Sequence, residues 1–318
     1  MKNLNIYINE GLADWGDDKL DKKISKQTTK AAIKKEICDW IVDHTNCSIY
    51  KNKLKFNLDT APITIDYDGD VEFKYDIDSL TNGLFQWGEV GGYFECKYCK
   101  YLTSLEGGPK KVGKDFCCND CISITSLEGA PKEVGGHFSC SYCNLITSLK
   151  GAPEKVGKYF YCRHCNLITS LKGAPKEVGE YFSCENCASL KSLEGAPKEV
   201  SDFFSCSYCT SLKSLKGAPE KVDGSFYCRH CNSITSLEGS PKEISGYFSC
   251  ENCTSLKSLK GAPKEVGDWF VCKNCTSLKS LEGAPKYVGR FFDCKYCGTK
   301  FTKEDVENVS TVKEGIFC

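Results

Sequence analysis

The chain has 318 residues, enough for one large domain or two ordinary ones. Its 42 Lys and Arg are balanced by 42 Asp and Glu, which argues against a partner held by bulk charge, nucleic acid above all. No apolar run approaches the length of a membrane span, and the opening stretch MKNLNIYINEGLADWGDD lacks the apolar core of a secretory signal.

The expected location is therefore a reducing cytoplasm. The 24 cysteines are then expected to be thiols or metal ligands rather than disulfides.

Residues 1–50 read as a helical N-terminal segment. In ISKQTTKAAIKKEICDWIVDH, the residues Ile33, Ile37, Trp40 and Ile41 share one helical face. Two roles fit this segment: a cap or small appendage, and a docking or packaging tag. Residues 51–89 read as an N-terminal β cap. Within it, 62–89 look like a worn copy of the repeat that follows. VEF, from Val71 to Phe73, is strand-like, and SLTNG, from Ser79 to Gly83, echoes a later SLEGA.

Residues 90–297 carry ten copies of one unit, the last of them partial. Cysteine pairs recur from Cys96/Cys99 to Cys294/Cys297 with a constant step of 22. The unit is V-x-x-x-F-x-C-x-x-C-x-x-[LI]-x-S-L-x-G-x-P-x-x, beginning at Val90 and last at Val288. The residues inside the pairs read SY, RH, EN twice over between Ser141 and Asn252, so three units were copied together. Phe and the first Cys lie two apart and share one face of a short strand. The second Cys follows where the chain bends inward, and the aliphatic residue and the Leu lie on the return path. Gly and Pro then punctuate a turn. Twenty-two residues with this punctuation leave little room for a strand and a full helix. One unit cannot bury its apolar side alone, whereas stacked units can. The fold class is thus a mainly β repeat solenoid with a parallel sheet on one side, few helices and terminal caps. The 298–318 segment reads as a helix and strand cap. Thr302 opens TKEDVENV as an N-cap, Glu304 and Asp305 fill the first turn, and Val312, Ile316 and Cys318 repeat the unit's spacing as a half copy.

Two readings of the cysteines compete. In one they are small apolar core residues, stacked every 22 positions. In the other, adjacent pairs such as Cys162, Cys165, Cys184 and Cys187, and their equivalents, hold zinc, since C-x2-C-x18-C-x2-C falls within a zinc spacing. Each pair can serve only one neighbour, so zinc would impose an alternation of site and gap. The sequence shows no such rhythm, and the core reading is preferred with no cofactor; zinc is the alternative. Ten near-equal pairs do not look like one activated redox pair. His164 and His230 are copies of one position and fit exposed polar residues better than ligands. Neither a phosphate loop nor a catalytic triad stands out.

The unit is similar to the leucine-rich repeat. Phe160, Cys162 and Cys165 match its L-x-L-x-x-[NC] segment, while Val156 lies one residue too far upstream and Ile168 one too far downstream. The SLxGAPKxVGGxFxC style resembles repeat proteins carried by bacteriophages, gut phages included, and by some large viruses. The GLADWGDDKLDKKISKQTTK stretch resembles N-termini of phage proteins, which favours the tag. The resemblance implies an architecture over roughly residues 71–318, and a host-cell cytoplasmic or virion-associated location. It implies little about activity.

The units agree at inward positions and vary at outward ones. Before the Phe stand Tyr93, His137, Tyr159, Tyr181, Phe203, Tyr247, Trp269 and Phe291; between Phe and Cys, Tyr161 and Tyr227; after the Cys, Arg163 and Arg229. Tyr, Trp and Arg are the residue types that make binding hot spots. Stacked aromatics also stabilise neighbouring strands without binding anything. The expected function is a non-catalytic scaffold that binds a protein or a glycan on this face, with no nucleic acid, no membrane and no assigned oligomeric state. A metal-loaded structural protein is the alternative.

Overall fold

The structure, a computed structural model, describes residues 19–47 and 54–318, with side chains from residue 29 onward. Each unit forms one turn of a β-solenoid and contributes two short strands. In the unit from Val156, the strands are Lys155–Val156 and Tyr159–Tyr161. Gly157 and Lys158 bend the chain between them. Each strand pairs in parallel with its equivalents one turn before and one turn after. Val156 lies beside Val134 and Val178, and Phe160 beside Phe138 and Phe182.

Two sheets result. The Phe strands build the expected parallel sheet, with 12 strands in chain order from Val71–Glu72 to Gly315–Phe317. The Val position builds a second sheet of 13 strands, ending at Thr311–Val312. Its first two strands, Leu54–Asn57 and Ile63–Tyr67, pair antiparallel. Parallel neighbours need a crossover connection, and here the rest of each turn supplies it without a helix.

Two tight turns make that crossover possible. His164, inside the Cys-x-x-Cys pair, has φ +57°, which swings Cys165 back into the core. Its N–H still donates to the Glu185 carbonyl of the next turn at 2.9 Å, so the ladder is not interrupted. Gly173 has φ +90°, and a Cβ there would run into the backbone of Leu149 and Lys150 one turn below. Only glycine meets both demands. Pro175 then ends the turn, buried.

Val156, Phe160, Cys162, Cys165, Ile168 and Leu171 of this unit are all buried, and the same positions are buried in the neighbouring units. The Phe rings stack from Phe94 to Phe292 with centroids 5.0–5.6 Å apart. Burial of each such side chain contributes about 1.5–3 kcal/mol, a gain that depends on having a neighbour to stack on.

Helix α1 (Lys19–His44) packs against the first turns. Ile37 and Ile41 are fully buried, with Ile33 and Trp40 half-buried against the same core. Trp40 meets Phe85 edge-on at 5.6 Å. The tag reading of this segment begins on residues 11–18, outside the described residues. Helix α2 (Lys303–Glu307) opens on a capping box. The Thr302 hydroxyl accepts from the Asp305 N–H at 3.2 Å, and the Asp305 carboxylate accepts from the Thr302 N–H at 2.8 Å. Val306 is buried beneath it. No helix of the described residues is long and apolar enough to cross a membrane.

Candidate binding face

Outside the Phe sheet, the residues that flank each inward Phe and Cys form three columns. The column before Phe contains two runs of rings. His137, Tyr159, Tyr181 and Phe203 follow one another at centroid distances of 4.1, 4.3 and 4.7 Å. Ser225 breaks the run. Tyr247, Trp269 and Phe291 form the second, at 6.0 and 4.4 Å. Tyr93 stands apart, separated from His137 by Asp115, with its N–H held by the Asp70 carboxylate at 3.0 Å. Every one of these rings is half-buried, and within the two runs each covers its neighbour. Such contacts contribute about 0.5–1.5 kcal/mol each.

The column between Phe and Cys has a different profile. Tyr161, Ser183, Ser205 and Tyr227 lie in strict register on adjacent strands. Two large residues thus flank two small ones. The gap is an open trough of about 260 Å3, whose lining includes Tyr161, Tyr227, Ser183 and Ser205 together with Tyr181 and Phe203. The buried Phe182 lies beneath. Three strand steps separate the two tyrosines, or about 14 Å at 4.8 Å per step.

The third column supplies the charges. The Arg163 guanidinium lies over the Tyr161 ring, 4.5 Å from its centroid, and its Nε donates to the Ser183 hydroxyl at 2.8 Å. The same Nε is 3.5 Å from the Glu185 carboxylate. Glu185 in turn accepts from the Ser205 hydroxyl at 2.6 Å. The trough floor is thereby held on both sides, and the two charges cancel. Partial burial holds the Tyr161 phenol above its ordinary value of 10.0, so it remains a neutral hydrogen-bonding group. Arg229 repeats the arrangement one duplication later, 4.5 Å over Tyr227 and bonded to Ser249 at 3.0 Å. Beyond it stand Val271 and Asp293 in place of a Ser and a Tyr.

Of the twelve residues singled out from the sequence, Tyr161, Arg163, Tyr181, Phe203 and Tyr227 come together in the trough. Tyr159 adjoins it through Tyr181, with Arg229 over Tyr227. Tyr93, His137, Tyr247, Trp269 and Phe291 lie elsewhere along the same face. Glu185 is one of the outward charges that follow the first Cys of each pair, beside Arg163 and Arg229. Sequence reasoning missed Ser183 and Ser205, although the order Tyr-Ser-Ser-Tyr down one column was the available signal. It also missed a second exposed column at the Cys-x-x-Cys turns, where Tyr142 stacks on His164 at 4.3 Å and Tyr208 on His230 at 4.4 Å. The two histidines are half-buried by these stacks rather than free in solvent.

The cysteines line the interior. Each second Cys from Cys121 onward points its thiol at the carbonyl of the first Cys one turn earlier, as Cys165 does to Cys140 at 3.2 Å and Cys187 to Cys162 at 3.1 Å. A hydrogen bond shared with the Cys187 thiol, and then burial, hold the Cys162 thiol well above its ordinary 9.0. Cys184 and Cys228 are raised for the same two reasons. These are protonated thiols at neutral pH, and the thiolate is the form that attacks electrophiles and binds metals. Among the described residues, no three or more His, Cys, Asp or Glu side chains are grouped so as to hold one ion. A second hollow of about 340 Å3 lies near the last turn, lined by Cys294, Cys297 and Cys318 with Lys295 and Lys300.

The fold and its columns define a parallel β-solenoid with a cysteine-rich core and an aromatic outer face. No protein-family model matches the chain, and neither a curated protein nor a solved structure does.

Proposed function

We propose that the chain is a non-catalytic binding scaffold whose working surface is the outer face of the Phe sheet. The observation that carries this reading is the trough: five residues chosen from sequence as binding candidates line one concavity. A core that needed only stacked aromatics would not need the hydroxyl floor or the Arg163–Glu185 pair beside it. The cysteines act within the core as packing groups, and no cofactor is required. The unit's likeness to leucine-rich repeats, and its style shared with phage-carried repeat proteins, fits a host-cell cytoplasmic or virion-associated setting. These assignments are part of the proposal.

The test exposes the purified chain to immobilised peptide and glycan libraries, beside a variant carrying Tyr159→Ala, Tyr181→Ala and Trp269→Ala. Ligands retained by the native chain are expected to be lost by the variant, while its circular dichroism stays unchanged. Equal retention by both proteins would remove the aromatic face from the function.

A further inference from the structure

We infer that the trough between Tyr161 and Tyr227 takes a neutral sugar ring, an inference that rests on the binding role proposed for this face. Size is the first argument. At about 260 Å3, the trough is below the range of about 300–1,000 Å3 typical of drug-sized sites, so it suits one ring rather than a long or branched ligand held at once. Chemistry is the second. A pyranose has an apolar C–H face and a rim of hydroxyls. The walls offer aromatic surface. On the floor the Ser205 hydroxyl is committed to Glu185, while the Ser183 hydroxyl accepts from Arg163 and keeps its own proton to donate. Arg163 uses Nε for Ser183 and Glu185, and among the described residues its two terminal amino groups have no further partner, so they can meet ligand oxygens.

Charge is the third argument. Arg163 and Glu185 sum to zero, so a neutral ligand pays no penalty that a charged one avoids, and a carboxylate or ammonium would meet a like charge beside its partner. Topology is the fourth, and it separates sugar from peptide. The strands at Tyr181–Ser183 and Phe203–Ser205 are paired on both sides. An extended peptide gains most from adding a strand to an open edge, and none is available here. A peptide would bind by side chains alone, whereas a sugar needs only what the trough presents.

The fold itself supplies a clean variant. Tyrosine already occupies the equivalent positions 161 and 227, so Ser183→Tyr with Ser205→Tyr fills the trough with a residue this column accepts. Saturation-transfer NMR with the uncharged methyl glycosides of glucose, galactose, mannose and N-acetylglucosamine reads binding directly. Transfer to the ring C–H protons of at least one glycoside is expected, with affinity about tenfold or more weaker in the filled variant and in a separate Tyr161→Ala variant. Circular dichroism and the melting curve check that both variants keep the fold. No transfer from any of the four, or transfer unchanged on filling, overturns the inference. Retention of library peptides by the native chain but not by the filled variant also overturns it, while leaving the binding role of the face intact. If neither sugars nor peptides are retained by the native chain, both readings fall together.

Discussion

Cys162 and Cys165 sit three residues apart, both fully buried, and yet have unequal surroundings. The Cys165 thiol donates to the Cys140 carbonyl at 3.2 Å, while the acceptor of the Cys162 thiol, the Ser183 carbonyl, is 3.7 Å away. A serine hydroxyl needs an acceptor within about 3.0 Å. Cys165→Ser keeps an acceptor almost within reach and is expected to cost about 1 kcal/mol. Cys162→Ser strands a hydroxyl in the core and is expected to cost about 1–3 kcal/mol. Urea midpoints of the two variants check the order; equal losses, or the reverse order, would contradict the difference in environment. Sequence alone distinguishes the two cysteines by position and gives no hint of this asymmetry, because the acceptor comes from the turn below.

The Cys-x-x-Cys turn is the element that makes the solenoid close, and it depends on a left-handed residue. Asn186, Asn252, Asn274, Asp120, His164 and His230 hold it at φ between 56 and 60°, and these residue types tolerate that region. Tyr98, Tyr142, Tyr208 and Tyr296 adopt it as well, although an L side chain pays about 1–2 kcal/mol there. Tyr142 and Tyr208 recover part of the cost by stacking on the next histidine. Tyr296 is 75% exposed and has no such stack among the described residues. Tyr296→Asn is therefore expected to stabilise the chain by about 0.5–1 kcal/mol, seen as a higher urea midpoint; a lower midpoint would show that the tyrosine earns its place by a contact. At this scale the sequence was partly legible. The 22-residue step, the inward Phe and Cys, the Gly-x-Pro turn and the Thr302 cap all follow from spacing and residue chemistry. The second sheet does not, because beyond its first three strands it is built of two-residue pieces such as Lys155–Val156, too short to carry a periodicity. The left-handed turn was hidden by tyrosines that run against preference. The trough was hidden because its floor is made of serines, which read as filler until the register aligns them with Tyr161 and Tyr227.

Across the whole molecule the thiol ladder links stability to pH. In the unfolded chain a thiol ionises near its ordinary 9.0, whereas burial pushes Cys117 up to about 11 in the fold. Cys162, Cys184 and Cys228 are also held above it, by hydrogen bonds to neighbouring thiols and by burial. Above pH 9 the unfolded chain loses protons that the folded chain keeps. This part of the stability is whole below pH 9 and is lost as pH rises towards the folded values, by about 1.4 kcal/mol per pH unit for each such thiol. Unfolding between pH 9 and 11 is expected to be steep and to move to higher pH when Cys117 is replaced by alanine; stability flat across that window would contradict a protonated core.

The account divides the molecule into a structural interior of cysteines and a working exterior of aromatics, and one measurement tests that division most directly. Metal content is determined on protein purified without a chelating tag, and thiols are counted native and denatured. The expected result is no stoichiometric metal. Native reactivity should be confined to Cys38, Cys47, Cys297 and Cys318, the cysteines that are not fully buried. The other twenty should react only after denaturation. About five zinc ions per chain, two cysteine pairs to each four-coordinate ion, with thiols released by a chelator rather than by denaturant, would contradict the account and move the function from the face to the core.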